Sequence, residues 1–559
     1  MRPSHCLLLL PLLSTACRGD DEAEAALTVT PSLVLESPAA ASWQAAGRTT
    51  ASGEATQCEA VTVDGVDAAL RGGAFQTKVD LVRGINLVEA VGIGANGDQV
   101  FVRQSVIAGD YNDPGQLVRD AILLRLNQGG LDTAMALVAS MIDSETIEAT
   151  VVALNPVYTD TYGVWGWDAV AISADVTELS FDEPKLTVTP MDGRLALTVV
   201  LPNVYVGLRA YGDIVGIDFD TTASLAASAA VVTADLSIDA VDGRLQAEMS
   251  GATVSLEGFS YDTALLPGDI EAYVFVDTIR ATIEEQLLAQ IEAMVPSLLD
   301  DTLAGLDPSF ETELLGVTVS VEAEFSSATI DPDGVAMTVD VDVDVPSSGN
   351  QTYAGYLAAG PAEPRVDTHS DLSGSISDDL LNRVLFEAWR GGVLAMEMST
   401  EDGSLSSALL IPLKATKGSI SIHADLPPVV IDNQGALQAQ MGELQIRIET
   451  PDGELGTFLD LSAHIEAPLD VVLADGELVL DIGDVAVTLM VRDSDWGASN
   501  EATTALVESM LPISTLMALL GDFSFPIPSL LGIEISSAEV YRDNSGVYTG
   551  LEAELTVAP

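Results

Sequence analysis

Lysine is almost missing from this chain. It occurs only at Lys78, Lys185, Lys414 and Lys417, so nearly all of the basic residues are arginine. Against 22 basic residues stand 85 acidic ones, a formal net charge of −63. That balance argues against nucleic acid as a partner, because phosphates are gripped by Lys and Arg, and it disfavours a bare anionic membrane surface. Aromatic residues make up 5% and cysteines number three. Four histidines lie scattered, and no HExxH, CxxC, GxSxG or P-loop spacing is present, so no catalytic residues and no metal ligands are assigned. Carboxylate pairs for glycoside hydrolysis always occur among 85 acids and carry no specificity. The chain is read as a non-enzyme without a cofactor.

What is abundant is aliphatic. Hydrophobic residues reach 48%, which excludes a disordered chain and, with few aromatics, suggests sheet sandwiches or barrels. At 559 residues the chain allows three or four domains. Its first residues set the compartment: Met1-Arg2, the apolar run Leu7 to Leu13, then Ser14-Thr15-Ala16-Cys17 resemble a bacterial lipoprotein signal. Residues 1–16 are expected to leave and Cys17 to carry the lipid anchor, with 17–26 as an acidic tether. An ordinary secretory signal ending near Ala16 is the alternative. Either way the protein is exported, and the lipoprotein reading places it at the outer membrane of a Gram-negative bacterium. With Cys6 removed and Cys17 acylated, only Cys58 remains, so no intramolecular disulfide is expected.

The chain is organised around Asp269 to Gly316. Val276, Ile279, Ile283, Leu287, Ile291, Met294 or Val295, and Leu298 recur at spacings of three and four, with Asp277, Glu284, Glu285 and Glu292 opposite. This predicts a long amphipathic helix, kinked or broken at Pro296 and stopped at Gly305. The stretch recurs: Glu292, Met294, Pro296, Gly305 and Leu314-Leu315-Gly316 return, at one constant interval, as Glu508, Met510, Pro512, Gly521 and Leu530-Leu531-Gly532. Two sister domains follow from such a repeat.

In order, 27–110 reads as an immunoglobulin-like β-sandwich, a type of domain that mostly serves as a spacer. Residues 111–345 open with a strand running into a helix whose apolar face is Leu131, Ala134, Leu137, Val138 and Met141. Hairpins with turns at Asp192-Gly193, Asp242-Gly243 and Asp333-Gly334 follow before the long helix. Residues 346–368 read as a linker. Residues 369–559 repeat the order: a strand, a helix carrying Leu381 and Leu385, hairpins with turns at Asp452-Gly453 and Asp475-Gly476, and a closing helix from Asn500 to Gly521. Asp340, Asp342 and Asp344 share one strand face, either a solvated face or a weak calcium site.

Leu124-Arg125-Leu126-Asn127-Gln128-Gly129-Gly130-Leu131-Asp132, then Ile376-Ser377-Asp378 with Asn382 and Gly392-Val393-Leu394, and Phe525-Pro526-Ile527-Pro528 resemble, in order, motifs of the bactericidal/permeability-increasing protein group of the tubular lipid-binding superfamily. The resemblance spans Pro114 to the C-terminus. It implies an α+β fold: two tandem elongated barrels, long helices wrapped by antiparallel sheet, in a pseudo-two-fold boomerang behind the small β-sandwich. It also implies an apolar pocket in each barrel for the acyl chains of a phospholipid. That family's first-barrel disulfide and basic tip have no counterpart here, so endotoxin neutralisation is not carried over. Leu131, Leu137, Ile283, Leu287 and Ile291 are then the expected lining of the first pocket, and Leu381, Leu385, Leu506 and Met510 of the second. The expected activity is that of a membrane-anchored lipid-binding lipoprotein that either holds or transfers its lipid; a structural or adhesive surface lipoprotein without cargo is the alternative.

Overall fold

The computed structural model describes residues 30–557 except 165–166, 215–216, 264–268, 307–308, 315–316, 347–351, 363–365, 367, 475–476, 497–523 and 527–532. Cys17, Leu506 and Met510, the second copy of the repeated helix and the Asp475-Gly476 turn lie outside the described residues.

Strand dominates this part of the chain. The strands Arg194–Ile214 and Ile217–Val241 run for 21 and 25 residues. The described α-helices are α1 (Gln128–Met141), α2 (Ser144–Ala153), α3 (Asp269–Leu303) and α4 (Asp378–Arg390). Only α3 is long. The expectation of two barrels, each a sheet wrapped around long helices, is therefore corrected. A helix enclosed by sheet is buried on all sides, whereas α3 is buried along one seam and leaves Asp277, Glu285 and Glu292 exposed. It lies against a sheet instead of being surrounded by one.

The α3 seam is Ile279, Ile283, Leu287, Ile291, Val295, Leu299 and Leu303, each between 0% and 5% exposed. Of the two alternatives Met294 and Val295 it is Val295 that is buried, and Leu299 takes the place expected of Leu298. A row spaced by four residues is inclined to the helix axis, so the surface it packs on must twist, as sheets do. Burying each of these aliphatics contributes roughly 1.5–3 kcal/mol. Pro296 does not break the helix. Its ring leaves the carbonyl of Glu292 without a helical donor, and Glu292 sits on the exposed side, where water can replace the bond.

A seven-stranded antiparallel sheet joins the two halves. Its order is Phe310–Leu314, Val317–Asp331, Gly334–Asp344, Val118–Asn127, Leu372–Ser377, Tyr548–Val557, Ile533–Arg542. In the middle, Leu124 pairs with Gly374, Ile122 with Ile376 and Leu126 with Leu372. The interval from Leu124 to Gly374 is also that from the start of α1 to the start of α4, so a pseudo-two-fold axis passes between these two residues. Val317–Asp331 and Ile533–Arg542, which follow the sequence repeat, occupy equivalent places on either side.

The second seven-stranded sheet, between Tyr158 and Thr263, carries α1 to α3. Buried residues alternate along Arg194–Ile214 as Leu195, Leu197, Val199 and Leu201, then slip by one to Val204, Val206 and Leu208. Directly opposite, on Ile217–Val241, the pattern slips between Ala227 and Ala230. Both strands change their buried face at one level, where Asn203 takes a positive φ of 52°, and the sheet bends there. At the Asp242-Gly243 turn both residues have positive φ, 49° and 78°, the conformation of a two-residue hairpin.

Residues 32–108 form a four-stranded and a five-stranded sheet around their own core of Leu33, Val63, Phe75, Val79, Val88 and Val106. The expected linker is tied down: Tyr356–Leu357 pairs with Tyr111–Asn112, and both Tyr356 and Leu357 are buried. Among the described residues no helix is long and apolar enough to cross a membrane.

Candidate functional site

The expected first-half residues come together. Leu131 and Leu137 on α1 and Ile283, Leu287 and Ile291 on α3 belong to one apolar cluster with the inner face of the bent sheet. Helices α1 and α3 touch each other, α1 resting on Lys185–Met191 and α3 on Arg244–Glu257. Met141, expected on the same face of α1, is instead 37% exposed. The seam is steered by polar contacts at its edges: the Leu256 N–H donates to Glu284 at 3.2 Å and the Ala247 N–H to Asp300 at 2.7 Å. All five expected residues are 8% exposed or less and packed. An open cleft of about 410 Å³ at the C-terminal end of α3 is mixed in character, with Arg244, Gln246, Asp300 and Asp301 beside Leu245, Leu303 and Phe325 in its wall.

Leu381 and Leu385 belong to the same cluster but sit elsewhere, on α4 against the central sheet. This helix is buried on nearly every side and carries charge inside, which sequence periodicity did not reveal. Asp378, at 0% exposure, accepts from both terminal nitrogens of Arg542 at 2.6 and 2.5 Å, and Arg542 also meets Asp432 at 3.4 Å. Burial pushes the Asp378 carboxyl up to about 6, with Arg542 pulling the other way. One turn further, Arg383 lies 2.9 Å from Glu387 in ion contact, though that nitrogen is not aligned for a hydrogen bond. Glu387, pushed up by burial, accepts from Arg390 at 2.7 Å.

The motif around Gly130 has a steric cause. A Cβ there would stand 2.3 Å from the backbone oxygen of Asp371, so glycine lets the start of α1 close on the strand entering the second half. Asn127 joins them further: its side chain donates to Ser370 O at 2.7 Å, while Arg125 holds Asn127 and Asp331.

The sandwich, read from sequence as a spacer, is docked on the second half. The Ser105 N–H donates to Glu443 at 2.5 Å, and Arg492 donates to the other oxygen of that carboxylate at 2.6 Å. Ser105 Oγ is 3.2 Å from His464 Nδ1, and His464 Nε2 is 3.5 Å from Glu466. The Glu466 carboxyl is held below its usual range, first by His464. This serine, imidazole and carboxylate stand in a row, but Ser105 is 1% exposed beneath the docked sheet. The row braces the two bodies together. Such contacts between residues 105 and 464 leave no local signal in a sequence. Asp340, Asp342 and Asp344 do not converge with other acids: among the described residues no group of three or more His, Cys, Asp or Glu is placed to hold a metal.

No family model matches the chain, and no curated protein matches it. Among solved structures it is similar to the crystal structure of lipopolysaccharide binding protein, at 13% identity and a TM-score of 0.44, over 78% of this chain and 99% of that one. It is also similar to P47 of Clostridium botulinum E1, at 9% identity and a TM-score of 0.28 over 78% and 98% of the two chains. P47 from Clostridium botulinum A2 follows at 9% and 0.24, over 78% and 97%. Scores of this size leave both fold and function to the chain's own residues.

Proposed function

We propose that this chain binds lipid, holding acyl chains among the aliphatic side chains between α1, α3 and the bent sheet, and that it is exported and anchored to an outer membrane through Cys17. The observation that carries this reading is the continuity of that interior. Two helix seams and the alternating faces of strands 21 and 25 residues long meet in one cluster built chiefly of Leu, Ile, Val and Ala. Acyl chains need no charged partner in such surroundings, since their burial supplies the affinity and the headgroup stays in water at the mouth. The motifs at 124–132, 376–394 and 525–528 support the same reading. The acidic exterior favours zwitterionic or neutral lipids over anionic ones.

The test is a pair of substitutions, Leu287→Trp with Ile291→Trp, which fill the interior. The folded variant is expected to lose the lipid carried by the parent; an unchanged lipid load contradicts the assignment. The rival reading, a structural or adhesive surface protein without cargo, is favoured by one observation: Leu131, Leu137, Ile283, Leu287 and Ile291 already pack against one another and the sheet at 8% exposure or less. Under that reading neither parent nor variant yields lipid on extraction.

A further inference from the structure

Six consecutive apolar residues, Ala408 to Leu413, sit in the loop joining the strands Met396–Ser399 and Ser419–Ala424. They belong to a short 3-10 turn, Ser407–Leu413. Leu410 and Leu413 point inward at 0% and 1% exposure, while Leu409 and Ile411 stand out at 46% and 69%. Single exposed aliphatics are ordinary, but an exposed apolar run in a loop has no folding purpose.

Nor is the loop slack. Ser406 Oγ accepts from the Ala408 N–H, and Lys414 closes the turn at a φ of 52°. The Asp452 carboxylate, from the neighbouring turn, accepts from Thr416 Oγ1 at 2.5 Å and from the Lys417 N–H at 3.1 Å. Leu409 and Ile411 are thus held outward. The loop stands at the end of its sheet, where Ser419 pairs with Glu449, about 20 Å along the strand from Glu443 and the docked sandwich.

Charge narrows the partner. Two of the four lysines in the chain, Lys414 and Lys417, follow directly on this turn, and both are exposed. Lys414 meets Glu454 at 3.4 Å in a pair open to water, a contact worth little that its ammonium group can leave. Lysine stems lie along an apolar phase while their ammonium groups reach its phosphate layer. Two projecting side chains are too few for a stable protein interface, which buries about 800 Å² on each side. A bilayer accepts side chains one at a time.

We infer that the Ser407–Leu413 turn is a lipid-surface contact, inserting Leu409 and Ile411 among acyl chains with Lys414 and Lys417 at the phosphates. The inference rests on the lipid-binding reading for the nature of its partner. It is tested with the full chain carrying Cys17→Ser, floated with phosphatidylcholine vesicles, while extracted lipid is measured separately. Leu409→Ser with Ile411→Ser is expected to weaken vesicle binding by about tenfold or more and to leave the extracted lipid unchanged. Lys414→Glu with Lys417→Glu is expected to weaken it as well. A single Ile411→Trp gives an independent readout, a blue shift of the added emission on vesicles, should the double serine variant fold poorly. Vesicle binding that is absent in the parent, or equal in parent and double serine variant, overturns the contact; so does a self-association that the double serine variant abolishes. Absence of extracted lipid alongside intact, Leu409-dependent vesicle binding instead overturns the cargo reading alone.

Discussion

Asp378, fully buried at the start of α4, is held by Arg542 from the outermost strand of the central sheet, at 2.6 and 2.5 Å. Removing one partner strands the other charge in the interior. Arg542→Ala is expected to cost about 3–5 kcal/mol, measured by denaturant unfolding of the full chain.

The same carboxyl gives a pH signature. Its folded value of about 6 lies above the ordinary 3.8, so the folded state binds this proton more tightly than the unfolded state does. The contribution of Asp378 to stability is then full below about pH 4 and lost as pH rises through about 6. Parent minus Asp378→Asn unfolding free energy should therefore fall by about 3 kcal/mol from about pH 4 to about pH 7. A flat difference over that window contradicts it.

Gly442 is where the sandwich meets the second half. A Cβ there would lie 2.6 Å from Ile85 Cγ2 and 2.7 Å from Ser105 Cβ. Gly442→Val is expected to undock residues 30–108 without unfolding them, seen as rapid proteolytic release of that piece. Glu443→Ala should do the same by leaving Arg492 without its carboxylate. Intact docking in both variants contradicts the brace described above.

Gly130→Ala places a methyl group 2.3 Å from Asp371 O. Overpacking against backbone costs about 1–3 kcal/mol. The expected outcome is a lower unfolding midpoint with an unchanged slope against denaturant.

Much of α3 was legible because periodicity is local: Ile279, Ile283, Leu287 and Ile291 are buried as their spacing requires. The choice of Val295 over Met294 was not, because it depends on the twist of the sheet beneath. Turns at Asp192-Gly193 and Asp242-Gly243 were readable from two residues each. The pairing of Leu124 with Gly374 joins distant parts of the chain and has no local signature; nor has the burial of Asp378, Arg383 and Glu387, on a helix of which the periodicity gave only the apolar residues. The balance of helix and sheet was misjudged for a related reason. The repeat and the motifs announced helices, while strand, in runs of up to 21 and 25 residues, dominates the described chain.

The central claim is that this interior holds lipid. Its most direct test is mass spectrometry of lipids extracted from the full chain carrying Cys17→Ser, purified without detergent. Binding predicts acyl-chain lipid, zwitterionic or neutral in class, in a fixed molar ratio to protein. Protein that is folded and free of lipid, and that takes up none from phosphatidylcholine vesicles, would contradict it.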